Sequence, residues 1–117
     1  MALRITSGEV GGVHVVWLDG RIVLGEETGA LRTTVKSLIA QGSTKIILNM
    51  NNVTMIDSAG LGALVTAYSS ATSGGGSLRL CHLGTKVTEL LQITKLLTLF
   101  DVYPTQAEAI RSFSEVA

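Results

Sequence analysis

Lys45-Ile46-Ile47-Leu48-Asn49, then Asn51-Asn52-Val53-Thr54, then Met55-Ile56-Asp57-Ser58-Ala59-Gly60-Leu61-Gly62-Ala63-Leu64: this passage places an apolar run, a polar interval and a helical pattern in direct succession. The run from Lys45 to Asn49 is too apolar to be solvated on either face, which makes it a central strand of a sheet covered on both sides. After Ser58, Leu61, Leu64, Val65 and Tyr68 recur at i, i+3, i+4 and i+7, the spacing of one helix face. Asp57 and Ser58 therefore fall at a helix N-terminus that follows a buried approach.

Upstream, residues 3–7 read as a short strand, Gly11-Gly12 as a turn, and Val13-His14-Val15-Val16-Trp17-Leu18 as a second strand that completes a hairpin. Asp19-Gly20 ends that strand. A helical pattern begins at Gly25, with Glu26-Glu27 in the first turn where carboxylates suit the helix dipole, and with Leu31, Val35, Leu38 and Ile39 facing inward. Gln41-Gly42-Ser43 stops it. Downstream, Gly74-Gly75-Gly76 separates the Ser58 helix from a further strand, Leu78-Arg79-Leu80-Cys81-His82-Leu83, after which Thr85 offers a cap for a helix with Val87, Leu90 and Leu91 inward. Leu99-Phe100 reads as a last short strand, and Thr105-Gln106-Ala107-Glu108 as a capping box opening a C-terminal helix through Ile110 and Phe113. Strands alternating with helices in this way predict an α/β fold with a mixed, mostly parallel sheet of four or five strands and about four helices, one domain over 1–117.

The 117 residues suffice to bury a core without disulfides or a structural metal. Nine Lys and Arg balance nine Asp and Glu with no basic run, which argues against direct nucleic-acid binding and against an anionic membrane surface. Charged residues are only 15%, so small or apolar surface suited to docking another protein is expected. Cys81 is the only cysteine and cannot form an internal bridge, in keeping with a reducing, cytoplasmic setting. The start, Met1-Ala2-Leu3-Arg4-Ile5-Thr6, lacks the apolar stretch of a signal peptide, and no segment approaches the ~18 apolar residues of a membrane span.

The glycines at 60 and 62 each lose about 1 kcal/mol relative to alanine inside a helix, so their presence in the first turns points to close approach by another backbone. Either Asp57 or Ser58 serves as the cap, and capping is compatible with a second role. A hydroxyl at an exposed helix N-terminus is a good phosphoacceptor, because unpaired amides and the dipole favour an added phosphate. Modification there would spare the fold while placing about −1.5 to −2 charges on a small, neutral surface.

Met55-Ile56-Asp57-Ser58-Ala59-Gly60-Leu61-Gly62 resembles the signature of STAS domains, the anti-sigma-factor antagonists of bacteria, and the order of elements agrees over essentially the whole chain. The resemblance implies that Ser58 is phosphorylated by a serine kinase that is itself the anti-sigma factor, and that only the unphosphorylated antagonist binds this kinase and releases the sigma factor. It also implies that Asp57 orients the serine loop and that Ala59, Gly60, Leu61 and Gly62 join Ser58 in the docking face. No cofactor, metal or catalytic residue follows from it, and the chain is expected to be a kinase substrate and not an enzyme. A STAS-like module without phosphorylation, serving as a scaffold or as the soluble subunit of a membrane transport complex, shares the same fold. Two departures stand out: Ala59 replaces the second hydroxyl that many antagonists carry, and Ile22-Val23-Leu24 is apolar where acidic or polar residues are frequent.

Other constellations carry less. Ser58 as a hydrolase nucleophile lacks a base, since the only histidines, His14 and His82, lie in strand patterns, and Ile56 occupies the first glycine position of a nucleophile elbow. Cys81-His82 cannot form a metal pair within a strand, where neighbours point to opposite faces. Gly74-Gly75-Gly76-Ser77 lacks the lysine of a phosphate-binding loop and reads as a turn. Leu96-Leu97-Thr98-Leu99-Phe100 packs beneath the last helix or, if exposed, favours self-association into a homo-oligomer.

Overall fold

A computed structural model describes residues 3–114. Strands β1 (Leu3–Val10) and β2 (Val13–Ile22) form the hairpin, followed by α1 (Glu26–Ala40), β3 (Lys45–Ile56), α2 (Ser58–Ser73), β4 (Ser77–Cys81), α3 (Thr85–Ile93), β5 (Asp101–Tyr103) and α4 (Gln106–Ser114). The sheet order is β1-β2-β3-β4-β5, with β1 antiparallel to β2 and every later pair parallel. The mixed, mostly parallel α/β architecture is the one the alternation of elements predicts.

Alternation along the strands divides the core between the two faces, as a repeat of two residues requires. Val16, Leu18, Ile46, Leu48, Leu78 and Leu80 pack with the inner faces of α1, α2 and α3. Val13, Val15, Ile47 and Cys81 point the other way, onto Ala109 and Phe113 of α4. Among the described residues, three helices thus cover one face and α4 alone covers the other. Of the inward residues of α1, Leu31, Val35 and Leu38 are buried, and Ile39 packs at the margin.

Gln106 ties α4 to the sheet. Its Oε1 accepts from Asn49 Nδ2 at 2.8 Å and from Trp17 Nε1 at 3.0 Å, and its backbone N–H donates to His82 Nε2 at 3.1 Å. Asn49 Oδ1 in turn accepts from the Asn51 N–H at 3.0 Å. The buried Asn49 is therefore satisfied, as a polar side chain inside a sheet must be. The capping box is half made: Thr105 Oγ1 accepts from the Glu108 N–H at 3.1 Å.

Several boundaries differ from the sequence expectation. The last strand is Asp101–Tyr103 and not Leu99-Phe100, because Phe100 turns inward and meets the Tyr68 ring edge-on at 5.6 Å. Leu96 and Leu97 pack with the α1–α3 side of the core and not beneath α4. β2 does not end at Asp19-Gly20 but runs to Ile22, and β3 continues past Asn49 to Ile56 because β2 pairs with it throughout, across two register shifts. β4 stops at Cys81. His82 adopts a left-handed φ of 56° and leaves the strand, so the expected continuation to Leu83 is absent. Gly84, not Thr85, occupies the N-cap of α3, and Thr85 is its first helical residue.

Candidate functional site

The site grows from the end of β3. β2 and β3 run side by side to Ile22 and Ile56, so α2 must start directly above the carbonyl of Ile22. The next residue, Asp57, has extended backbone angles and caps α2, its Oδ1 accepting from the Gly60 N–H at 2.8 Å. Its Oδ2 accepts from the Leu24 N–H at 3.0 Å, which binds the β2–α1 connection to the start of α2. Capping therefore rests with Asp57. Ser58 is the first residue of the helix and is exposed.

These two N–H groups hold the Asp57 carboxyl below its ordinary value of 3.8, the Leu24 amide contributing most and the Gly60 amide next, while burial pushes weakly the other way. A carboxyl whose pKa is lowered by folding contributes stability above its unfolded value and loses that contribution as pH falls through the folded value. In thermal unfolding, Asp57→Asn is expected to lower the midpoint at pH 7, with the gap from wild type closing as the pH falls below the ordinary carboxyl value of 3.8. A gap that stays constant over that range would show that the charge of Asp57 contributes nothing.

The two helix glycines differ. A Cβ on Gly60 would stand 2.0 Å from the Ile22 carbonyl oxygen and 2.7 Å from Ile56 Cγ1, so close backbone approach excludes any side chain. A Cβ on Gly62 would meet nothing within 4 Å. Leu61 is 5% exposed and belongs to the core, Gly60 is buried beneath the turn, and Ala59 and Gly62 are half-buried. Of the residues singled out in the sequence, Ser58, Ala59 and Gly62 present surface, whereas Gly60 and Leu61 fix the helix from below. No residue of α2 is charged, so beside Ser58 the one charge next in the chain is the Asp57 carboxylate, which is engaged by the Gly60 and Leu24 amides.

The exposure of two apolar residues at the motif is not legible in the sequence. Leu24 is 78% exposed and Met55 54% exposed, large apolar side chains on the two segments that flank Ser58. Neither histidine serves Ser58: His14 Nδ1 shares a hydrogen bond with Ser43 Oγ at 3.2 Å, and His82 accepts from Gln106. Cys81 is fully buried, and desolvation pushes its thiol up to about 11, which keeps it protonated and inert at neutral pH.

The STAS domain family profile matches residues 4–109. The chain belongs to the STAS domain family. Among curated STAS relatives, it is 23% identical over 117 residues to the anti-sigma F factor antagonist of Paenibacillus polymyxa, covering 100% of both chains. A crystal structure of a Thermotoga maritima protein named as an anti-sigma factor antagonist superposes with a TM-score of 0.80 at 28% identity, over 92% of each chain. SpoIIAA of Bacillus in its phosphorylated form shares the STAS fold, with a TM-score of 0.71 and 21% identity over 96% of this chain and 99% of that one. Among the described residues, no helix is long and apolar enough to cross a membrane.

Proposed function

We propose that this STAS domain is a phosphorylation-controlled anti-sigma-factor antagonist, cytoplasmic and without catalytic activity of its own. Unphosphorylated, it binds an anti-sigma serine kinase through the surface around Ser58, and the kinase gives up its sigma factor. The kinase then transfers the γ-phosphoryl of ATP to Ser58 Oγ. The phosphorylated domain is released.

The single observation that carries this reading is the exposed Ser58 on the first residue of α2, with the capping duty held by Asp57. A phosphate on Ser58 would meet a helix N-terminus whose dipole favours anions, and the Asp57 bonds would survive it. The neutral α2 surface would change its charge by about −1.5 to −2 in one step. Gly62 supports the same reading, because no neighbour in the fold requires a glycine there, and its cost is explained by a partner that approaches the helix closely. The names of the relatives, anti-sigma factor antagonists, agree. A scaffold role without phosphorylation keeps the fold but gives the exposed hydroxyl and the bare Gly62 no purpose.

The test is incubation with candidate anti-sigma kinases and ATP, followed by phosphate mapping. One phosphate on Ser58, absent from Ser58→Ala, is the expected result. Phosphate on another hydroxyl, or none with any kinase that binds the domain, would favour the scaffold role.

A further inference from the structure

β3 outlasts its neighbour. β4 accompanies it only from Lys45 to Asn49, pairing with Ser77 through Cys81. Beyond that point, Asn52, Val53, Met55 and Ile56 pair with β2 on one side across two register shifts, and among the described residues no strand pairs with residues 50–56 on the other. The cause is local: His82 takes a left-handed turn, its N–H donates to the Tyr103 carbonyl at 3.3 Å, and the chain swings towards β5. An interior strand is thereby converted into an open edge over its second half.

That edge faces a helix across a groove of about 550 Å³. One wall is the strand, with Val53, Met55 and Ile56; the other is α3, with Val87, Leu90 and Ile93. Met55 is 54% exposed and Ile93 78%, two of the three most exposed large apolar side chains described. Lys86 and Glu89 also border the groove and offset each other in charge. An apolar cleft alone would not specify its occupant, but the strand edge does. A row of backbone N–H and C=O groups without a partner is complemented by another extended backbone, and a cleft between strand edge and helix is the geometry in which domains bind peptides by strand addition.

We propose that residues 50–56 and α3 form a docking groove for an extended, uncharged segment of a protein partner, which adds to β3 as a strand where β4 leaves off. Alternate side chains of such a segment point to opposite sides. One set falls on Val87, Leu90 and Ile93, and backbone pairing to β3 fixes the register. The groove begins at Met55-Ile56, immediately before Asp57-Ser58, so a partner seated over Ser58 reaches it without a gap. It does not depend on whether Ser58 is phosphorylated.

The test is a nuclear magnetic resonance titration of the full chain with the uncharged peptide acetyl-Val-Thr-Val-Thr-Val-Thr-amide, beside the same peptide N-methylated at alternate residues. The unmodified peptide is expected to shift the amides of residues 50–56 and of α3 and to slow exchange at the β3 edge about tenfold. The methylated peptide, which cannot pair along its blocked edge, is expected not to bind. Met55→Lys and Ile93→Lys, both at exposed positions, are expected to weaken binding about tenfold each with the remaining spectrum unchanged. Ser58→Asp is expected to bind the peptide as wild type does, so this groove and the phosphorylation reading stand or fall separately. Equal binding by the methylated peptide, shifts confined to the outer edge of β1, or no shift at millimolar peptide would overturn the proposal. Concentration-dependent shifts at the β3 edge without any peptide would also overturn it, by making a second copy of the chain the occupant.

Discussion

Ser58→Asp is expected to weaken binding to the proposed anti-sigma partner by roughly a hundredfold or more, while Ser58→Ala binds within a few-fold of wild type and both keep their unfolding midpoints within about 2 °C. The size follows from charge in a confined surface. Two unit charges ~4 Å apart in an effective dielectric of about 20 repel by roughly 4 kcal/mol, and screening by salt still leaves well over the 1.4 kcal/mol that makes one decade. No charge on α2 dilutes the effect. The fold is spared because residue 58 is exposed and helix N-termini tolerate anions. Isothermal titration calorimetry and thermal unfolding check the two halves independently. Equal affinities for the two variants would count against a charge-gated surface, and a collapsed midpoint for Ser58→Asp would show that the hydroxyl is structural.

The second large effect belongs to Gly60. Gly60→Ala is expected to destabilise the domain by about 3 kcal/mol, the upper end for overpacking, and to lower the midpoint by more than about 10 °C. The added Cβ would stand 2.0 Å from the Ile22 carbonyl oxygen, and that backbone cannot yield without parting β2 from β3 beneath the helix. Because the Gly60 N–H is also the donor to Asp57 Oδ1, displacement of this turn would free the carboxylate and loosen its hold on Leu24. Gly62→Ala is the internal control. With nothing within 4 Å of its Cβ, it is expected to stabilise the domain by up to about 1 kcal/mol and to weaken partner binding. Differential scanning calorimetry on the pair decides the matter, and similar midpoints for both would refute the close contact at Gly60.

The sequence disclosed much of this because the decisive signals are local. A run such as Ile46-Ile47-Leu48 has only one use in a small α/β domain, and Leu61 and Leu64 announce their own helix face. What it concealed depends on distant partners. Asn51-Asn52 and Thr54 look like a loop, yet they extend β3 because β2 continues beside them. Gly60 and Gly62 are alike on paper, and only the Ile22 carbonyl tells them apart. Asp57 and Ser58 compete equally for the cap on paper; the Gly60 amide on Asp57 Oδ1 gives it to Asp57, and the distant Leu24 amide adds a second bond that no local pattern announces. Gln106 reads as the inside of a capping box, whereas it joins Trp17, Asn49 and His82 from three other segments. The left-handed turn at His82 has no glycine to mark it, so the early end of β4, and with it the open edge of β3, left no trace in the residue pattern.

One titration addresses the central claim directly. The anti-sigma factor proposed to phosphorylate this domain is titrated with the domain in two forms, unmodified and carrying phosphate on Ser58. A dissociation constant raised roughly a hundredfold or more by the phosphate, with unchanged folding, is the result expected of a surface gated by charge at the start of α2. Equal affinity for the two forms would contradict it.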